Sequence, residues 1–293
     1  MAQAGNRFQR IRRRHKLLGL LRLFRLPNLL MIFLGQLLVI WKFSTDNNFY
    51  LLLNDAGIWL LLLATQASAA GGYILNDYHD VRIDQINKPG RVVVGRLVTR
   101  RKALFSYLLL TAFALIAGLM AGKREGFLVL LCCSLLWLYS VRLKCVPLAG
   151  NLLVAVLVAV SLFLPSLRFD ADFRLLVPFC QFAFLSNLIR EIVKDLEDMR
   201  GDSQHSCRTF PIAFGLPASR RLINLAGALL LLNFLLLIPE SSIPGLAFVL
   251  LCLFPFGMFF KLLQRADKKR DFTKLSRLLK WAMLAGMAGF VLF

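Results

Sequence analysis

Gly57-Ile58-Trp59-Leu60-Leu61-Leu62-Leu63-Ala64-Thr65-Gln66-Ala67-Ser68-Ala69-Ala70-Gly71-Gly72-Tyr73-Ile74-Leu75-Asn76-Asp77-Tyr78-His79 carries 20 successive uncharged residues before its first acid, Asp77. At ~1.5 Å per helical residue such a run crosses ~30 Å of hydrocarbon. Similar runs recur near 24–41, 103–121, 126–141, 146–165, 173–193, 219–238, 243–262 and 276–293, giving nine candidate spans in 293 residues. Lipid offers the backbone no hydrogen-bond partners, so each span is expected to be helical. The predicted fold is all-α, a polytopic membrane bundle of about nine transmembrane helices. It forms one domain over 1–293, and 1–22 is a basic cytoplasmic N-terminal segment.

Composition agrees with this. The chain is 58% apolar and 18% charged, whereas soluble domains run at ~45–50% and ~25%. Disorder, a collagen-like repeat, a small disulfide scaffold and a single soluble core are excluded. The net charge of +20 would suit nucleic acid, but its distribution suits a membrane. With nine spans and the N-terminus inside, 31 of 36 Lys and Arg fall on the cytoplasmic side, and only Lys42, Lys123, Arg124, Arg168 and Arg174 fall outside. That is the positive-inside asymmetry, and no nucleic-acid partner is expected. Arg7 to Lys16 reads as an anchor at anionic headgroups rather than part of a cleaved signal, since no small-residue cleavage site follows the apolar run.

The six cysteines (132, 133, 145, 180, 207, 252) show no Cys-x-x-Cys pattern and are expected to be structural thiols. His15, His79 and His205 are scattered, which argues against a transition-metal site.

The acids are concentrated. Eight of the 16 Asp and Glu lie within 74–84 and 191–202, at the cytoplasmic ends of the second and sixth spans. Ile74-Leu75-Asn76-Asp77-Tyr78-His79-Asp80-Val81-Arg82-Ile83-Asp84 aligns without a gap with Ile192-Val193-Lys194-Asp195-Leu196-Glu197-Asp198-Met199-Arg200-Gly201-Asp202. Both read Asp-x-x-Asp-x-x-x-Asp, a spacing that stacks the acids on one helical face, and Glu191 extends the second face backward. Four intervening spans make this an internal repeat with both acidic faces at one membrane depth. Carboxylates so placed are costly and expected in functional cavities. Gathered together they need raised pKa values or neutralising cations. Oxygen ligands without Cys or ordered His favour Mg²⁺, which completes its shell with water and substrate phosphates. Two facing clusters therefore suggest a diphosphate held through metal ions, although solvated helix ends would show the same acids.

Basic residues stand nearby: Arg22, Arg25 and Asn28 at the first span, Asn87-Lys88-Pro89-Gly90-Arg91 after the first acidic face, Tyr139, Arg142 and Lys144 at the end of the fourth span, and Lys194 within the second acidic segment. Singly each also reads as a positive-inside anchor. Together they would bind phosphate oxygens. Phe and Tyr rings lining a cavity would stabilise an allylic cation through their faces.

On these residues the chain resembles the UbiA-type intramembrane prenyltransferases, over most of its length. Asn76-Asp77-x-x-Asp80-x-x-x-Asp84 matches the family's first motif in full. Asn87 to Gly95 resembles its Asn-x-Pro-x-Arg loop, with Val92 where many members have Pro. Glu191 stands where the second motif often starts with Asp. Leu143 takes the place of the Lys in Tyr-x-x-x-Lys, so Arg142 and Lys144 are the neighbouring basic residues. Arg208-Thr209-Phe210-Pro211 resembles the basic-Thr-Leu-Pro turn. Arg190 to Asp202, with Tyr139-Ser140, is most similar to the branch that adds a second geranylgeranyl chain to geranylgeranylglyceryl phosphate. The resemblance implies transfer of a polyprenyl group from its diphosphate to a lipophilic acceptor with Mg²⁺, two ions being expected. It implies Asn76, Asp80, Asp84, Glu191, Asp198 and Asp202 as metal ligands, supported by Asp77 and Asp195. Arg25, Asn28, Arg91, Arg142, Lys144 and Lys194 would hold the diphosphate, and Tyr139 joins the catalytic set. An aromatic acceptor on the way to quinones or haem is the alternative. A divalent-cation or organic-anion transporter is a second alternative, of another class.

Overall fold

The computed structural model describes residues 19, 21–44, 54–90, 92–237 and 243–292. Arg91 and the basic stretch Arg7 to Lys16 lie outside them. The described elements are α1 (Leu26–Lys42), α2 (Ala56–His79), α3 (Val81–Asn87), α4 (Arg100–Ala121), α5 (Lys123–Val141), α6 (Ala149–Phe163), α7 (Phe173–Gln204), α8 (Phe210–Leu237), α9 (Ile243–Leu263) and α10 (Lys269–Gly289). Among the described residues there is no strand beyond two isolated bridges. Among the described residues six helices are long and apolar enough to cross a membrane: α2, α4, α5, α6 with its 3-10 extension to Arg168, α7 and α8.

Helix starts follow local chemistry. Asp55 caps α2 by accepting from the Gly57 amide at 2.7 Å, and Asp172 caps α7 through the Arg174 amide, each satisfying a donor orphaned by the first turn. Arg168 closes that end of the bundle, donating to both Asp55 oxygens and to the Ala121 carbonyl. In α8, Gly215 takes φ 81° two residues before Pro217, a left-handed kink that glycine makes without strain.

Small residues set the helix spacing. α2 packs along α4, where Gly71 faces Tyr107, Leu110 and Thr111, and Ala114 and Ala117 are buried on the partner helix. In lipid, where apolar burial gives no drive, such close backbone approach supplies the contact energy. α7 is central, packing on α3, α6, α8 and α10. Its apolar half joins a ring cluster in which Phe179 meets Phe43 at 5.4 Å and Phe290 at 4.8 Å, edge to face. The Asn233 side chain donates to the Pro178 carbonyl and to Gln181, tying α8 to α7 within the apolar zone.

Two expectations are corrected. The first acidic segment does not sit on one unbroken helix: it breaks at Asp80 (φ −85°, ψ 2°) between α2 and α3. The amides of Asp80 and Asp84 still reach back four residues, so the break is a bend. Its counterpart lies within the continuous 32-residue α7. The cysteines are not all thiols, because Cys145 and Cys207 form a disulfide across 62 residues. No spacing rule joins such a pair; the bundle does, by bringing together the segments that follow α5 and α7. Cys132, Cys133 and Cys180 are free.

Candidate active site

A cavity of about 800 Å³ opens between α1, α2, α3, α5, α6, α7 and α10, within the range of small-molecule sites. One part is apolar, walled by Met31, Ile32, Val129, Leu136, Leu157, Phe179 and Phe182. The other carries both acidic segments: Asn76, Asp77, Asp80 and Asp84 on one side, Glu191, Asp195, Asp198 and Asp202 on the other.

The α3–α7 contact holds the two segments together. The Asn87 side chain donates to the Asp198 carbonyl and accepts from the Gly201 amide, both at 2.8 Å. A Cβ at Gly201 would stand 2.5 Å from the Asn87 amide nitrogen, so glycine is what lets α3 lie this close. Lys88, next in the chain, reaches Asp198 at 2.5 Å.

Asp80, Glu191 and Asp202 are 5%, 5% and 3% exposed, and buried acids require partners. Asp80 accepts from Asn76 at 2.6 Å and pairs with Lys144. Glu191 pairs with Lys194 at 2.7 Å and Arg190 at 3.1 Å. Asp77 pairs with Arg25 at 2.8 Å, and Asp195 accepts from Asn151 at 2.7 Å. Burial, and then the neighbouring Asp80 charge, push the Asp84 carboxyl up to about 6. Burial alone would lower the Lys144 pKa, but its ion pair with Asp80 outweighs that and raises it.

Among the described residues no three His, Cys, Asp or Glu side chains converge closely enough to hold one ion as they stand; lysines and arginines are interleaved with the acids. Hard-cation chemistry nonetheless fits. Asn76 Oδ1 and Asp198 Oδ1 are buried acceptors with no hydrogen-bond partner, one on each acidic segment, amid an all-oxygen donor set.

Of the diphosphate-binding residues expected from sequence, Arg25, Asn28, Lys144 and Lys194 line the cavity, as does Tyr139. Arg142 does not: it is exposed and outside the lining. α5 ends at Val141, and the 3-10 turn Leu143–Cys145 turns Lys144 inward instead. Asn151, Ser276 and Lys280 were not singled out from the sequence, and Arg190, quoted at the head of the second acidic stretch, was given no role of its own. Asn151, Arg190 and Lys280 were detectable as polar or charged residues inside apolar spans; Ser276, at the edge of one, carried no such signal.

A match to the UbiA prenyltransferase family covers residues 28–284. The chain is 29% identical over 276 residues to digeranylgeranylglyceryl phosphate synthase of Methanosphaera stadtmanae, covering 92% of this chain and 97% of that one. It is 34% identical over 215 residues to the enzyme of the same name from Saccharolobus solfataricus, covering 72% and 74%. A solved structure from work on digeranylgeranylglyceryl phosphate synthase in membranes superposes with TM-score 0.71 at 24% identity, over 94% of this chain and 98% of that one. A UbiA homolog from Archaeoglobus fulgidus bound to DMAPP and Mg²⁺ gives 0.67 at 15% identity, over 94% and 100%. The chain is an integral membrane protein and belongs to the UbiA prenyltransferase family.

Proposed function

We propose that the protein transfers a geranylgeranyl group from its diphosphate to the free hydroxyl of a glycerol ether phosphate, with Mg²⁺. The observation that carries this reading is one cavity with two acidic segments and interleaved cations at one end and an apolar wall beyond. Family membership makes the protein a prenyltransferase and displaces the transporter alternative. The relatives named digeranylgeranylglyceryl phosphate synthase support the acceptor. The homolog bound to DMAPP and Mg²⁺ supports donor and metal.

Two Mg²⁺ ions would be held by Asn76, Asp80 and Asp84 on one side and Glu191, Asp198 and Asp202 on the other, with Asp77 and Asp195 in support. When bound, Mg²⁺ neutralises charge on the departing diphosphate. Lys144 and Lys88, paired with Asp80 and Asp198, exchange those partners for phosphate oxygens, an electrostatic gain largest as the leaving group separates. Arg25, Asn28, Lys194 and, outside the described residues, Arg91 complete the anion site. Tyr139 offers a ring face to the allylic cation, and the apolar wall excludes water that would hydrolyse it. The bond from the acceptor oxygen to the allylic carbon forms and the carbon–oxygen bond to diphosphate breaks. Diphosphate leaves with the electron pair, and the hydroxyl proton is lost to a base.

In the bilayer, α1, α9 and α10 join the six apolar helices to make nine crossings, with the N-terminus and acidic segments cytoplasmic. The test is a product assay with purified protein, labelled geranylgeranyl diphosphate, Mg²⁺ and a panel of geranylgeranylglyceryl phosphate and aromatic acids. The expected product is the double ether. Rapid prenylation of an aromatic acid with the ether phosphate inert would overturn the acceptor.

A further inference from the structure

Beside the main cavity lies a second recess that shares Arg22, Asn87, Lys88 and Glu197 with it and adds Lys269 and Thr273 from α10. We propose that this recess binds the phosphate monoester of the acceptor, with Arg22 and Lys269 as the residues that select a phosphorylated acceptor. The inference rests on the proposed glycerol ether phosphate acceptor. In that class of molecule the attacked hydroxyl and the phosphate sit on adjacent carbons. The hydroxyl must meet the allylic carbon beside the diphosphate, so the two anions are held about one glycerol unit apart. That demands two cationic pockets with a common wall, and the shared residues provide it.

Arg22, Lys88 and Lys269 face the Glu197 carboxylate and, through Lys88, Asp198, which leaves the recess with an excess of one positive charge. The positive-inside rule alone would scatter cations over this face without aiming them. Lys269 is instead fixed: its ammonium donates at 2.6 Å to the carbonyl of Asn87, 182 residues away in sequence, at the junction that carries Lys88. Thr273, one turn on, donates to Glu197 at 3.1 Å and holds that carboxylate at the edge of the recess. Lys88 pairs with Asp198 of the main cavity and so stands between the two anion positions.

The test compares steady-state kinetics of the full-length protein in detergent with geranylgeranylglyceryl phosphate and its dephosphorylated ether alcohol. Lys269→Met and Arg22→Met should each raise the KM for the phosphorylated acceptor about tenfold while the donor KM stays within about twofold, as for loss of one charge-assisted hydrogen bond. Lys269→Arg should restore most of the loss, and Glu197→Gln should lower the acceptor KM. Thermal unfolding of each variant monitors folding. Equal effects on donor and acceptor KM, or wild-type protein using the ether alcohol as well as its phosphate, would overturn the proposal. Wild-type protein that prenylates only an aromatic acid identifies the failure as that of the functional reading, and the phosphate recess falls with it.

Discussion

Asp84 shows how much of the site depends on single side chains. Its carboxyl, pushed up to about 6 by burial and by Asp80, must ionise before it can serve a cation. Metal binding to the purified protein should therefore strengthen as pH rises from about 5 to 7, followed by calorimetric titration with Mg²⁺. The dependence should be shallower in Asp84→Asn, and a flat wild-type profile would contradict the assigned role. The acids themselves were legible in the sequence, because the repeated Asp-x-x-Asp-x-x-x-Asp spacing needs no tertiary information. The choice between Arg142 and Lys144 was not. It depends on α5 ending at Val141 and a tight turn following, and both residues are basic and equally close to the motif position. Asn87 was legible as the start of the Asn-x-Pro-x-Arg loop, but its role as a tie between the two acidic segments was not, because its bonds to Asp198 and Gly201 join residues more than 100 apart in sequence.

Among the elements, the segment after α5 and the segment after α7 are joined by Cys145–Cys207. The crosslink stands next to Lys144 and five residues beyond Asp202, so it ties a cation of one acidic segment to the end of the other. Closing a loop of 62 residues is worth at most about 4 kcal/mol in the chain-entropy description. The gain is smaller here, since inserted helices stay confined to the bilayer when their packing is lost. Cys145→Ala, or reduction, should lower the unfolding midpoint and turnover together, whereas Cys180→Ala should leave turnover unchanged. Insensitivity of both quantities to reductant would count against the clamp. Helix positions were readable from apolar runs and the end of α2 from its acids. The bend at Asp80 was not, since nothing in Asn76 to Asp84 distinguishes it from the unbroken helix formed by the second motif.

For the whole molecule, the proposed nine crossings divide Lys and Arg 31 to 5, an asymmetry that would set both acidic segments at the cytoplasmic face. A disulfide on a cytoplasmic face would be unusual outside hyperthermophile cytosol, which makes sidedness worth measuring. Single cysteines introduced at Arg101 and Arg124, in a variant lacking the native thiols, should react with an impermeant maleimide from opposite sides. Same-side labelling would refute the nine-crossing arrangement. Nine apolar runs were visible along the chain, but the cavity was not, because it arises where seven helices, α7 among them, meet. The central claim is that the two acidic segments act through a divalent ion on one diphosphate. Its most direct test is turnover of labelled geranylgeranyl diphosphate by wild-type, Asp80→Asn and Asp198→Asn proteins of equal thermal stability, with chelator and then with Mg²⁺ restored. The expected result is no product in chelator, full recovery of the wild type with Mg²⁺, and a loss of about 100-fold or more in each variant, the scale of a lost transition-state electrostatic contact. Undiminished turnover in excess chelator, or near wild-type activity of either variant, would contradict it.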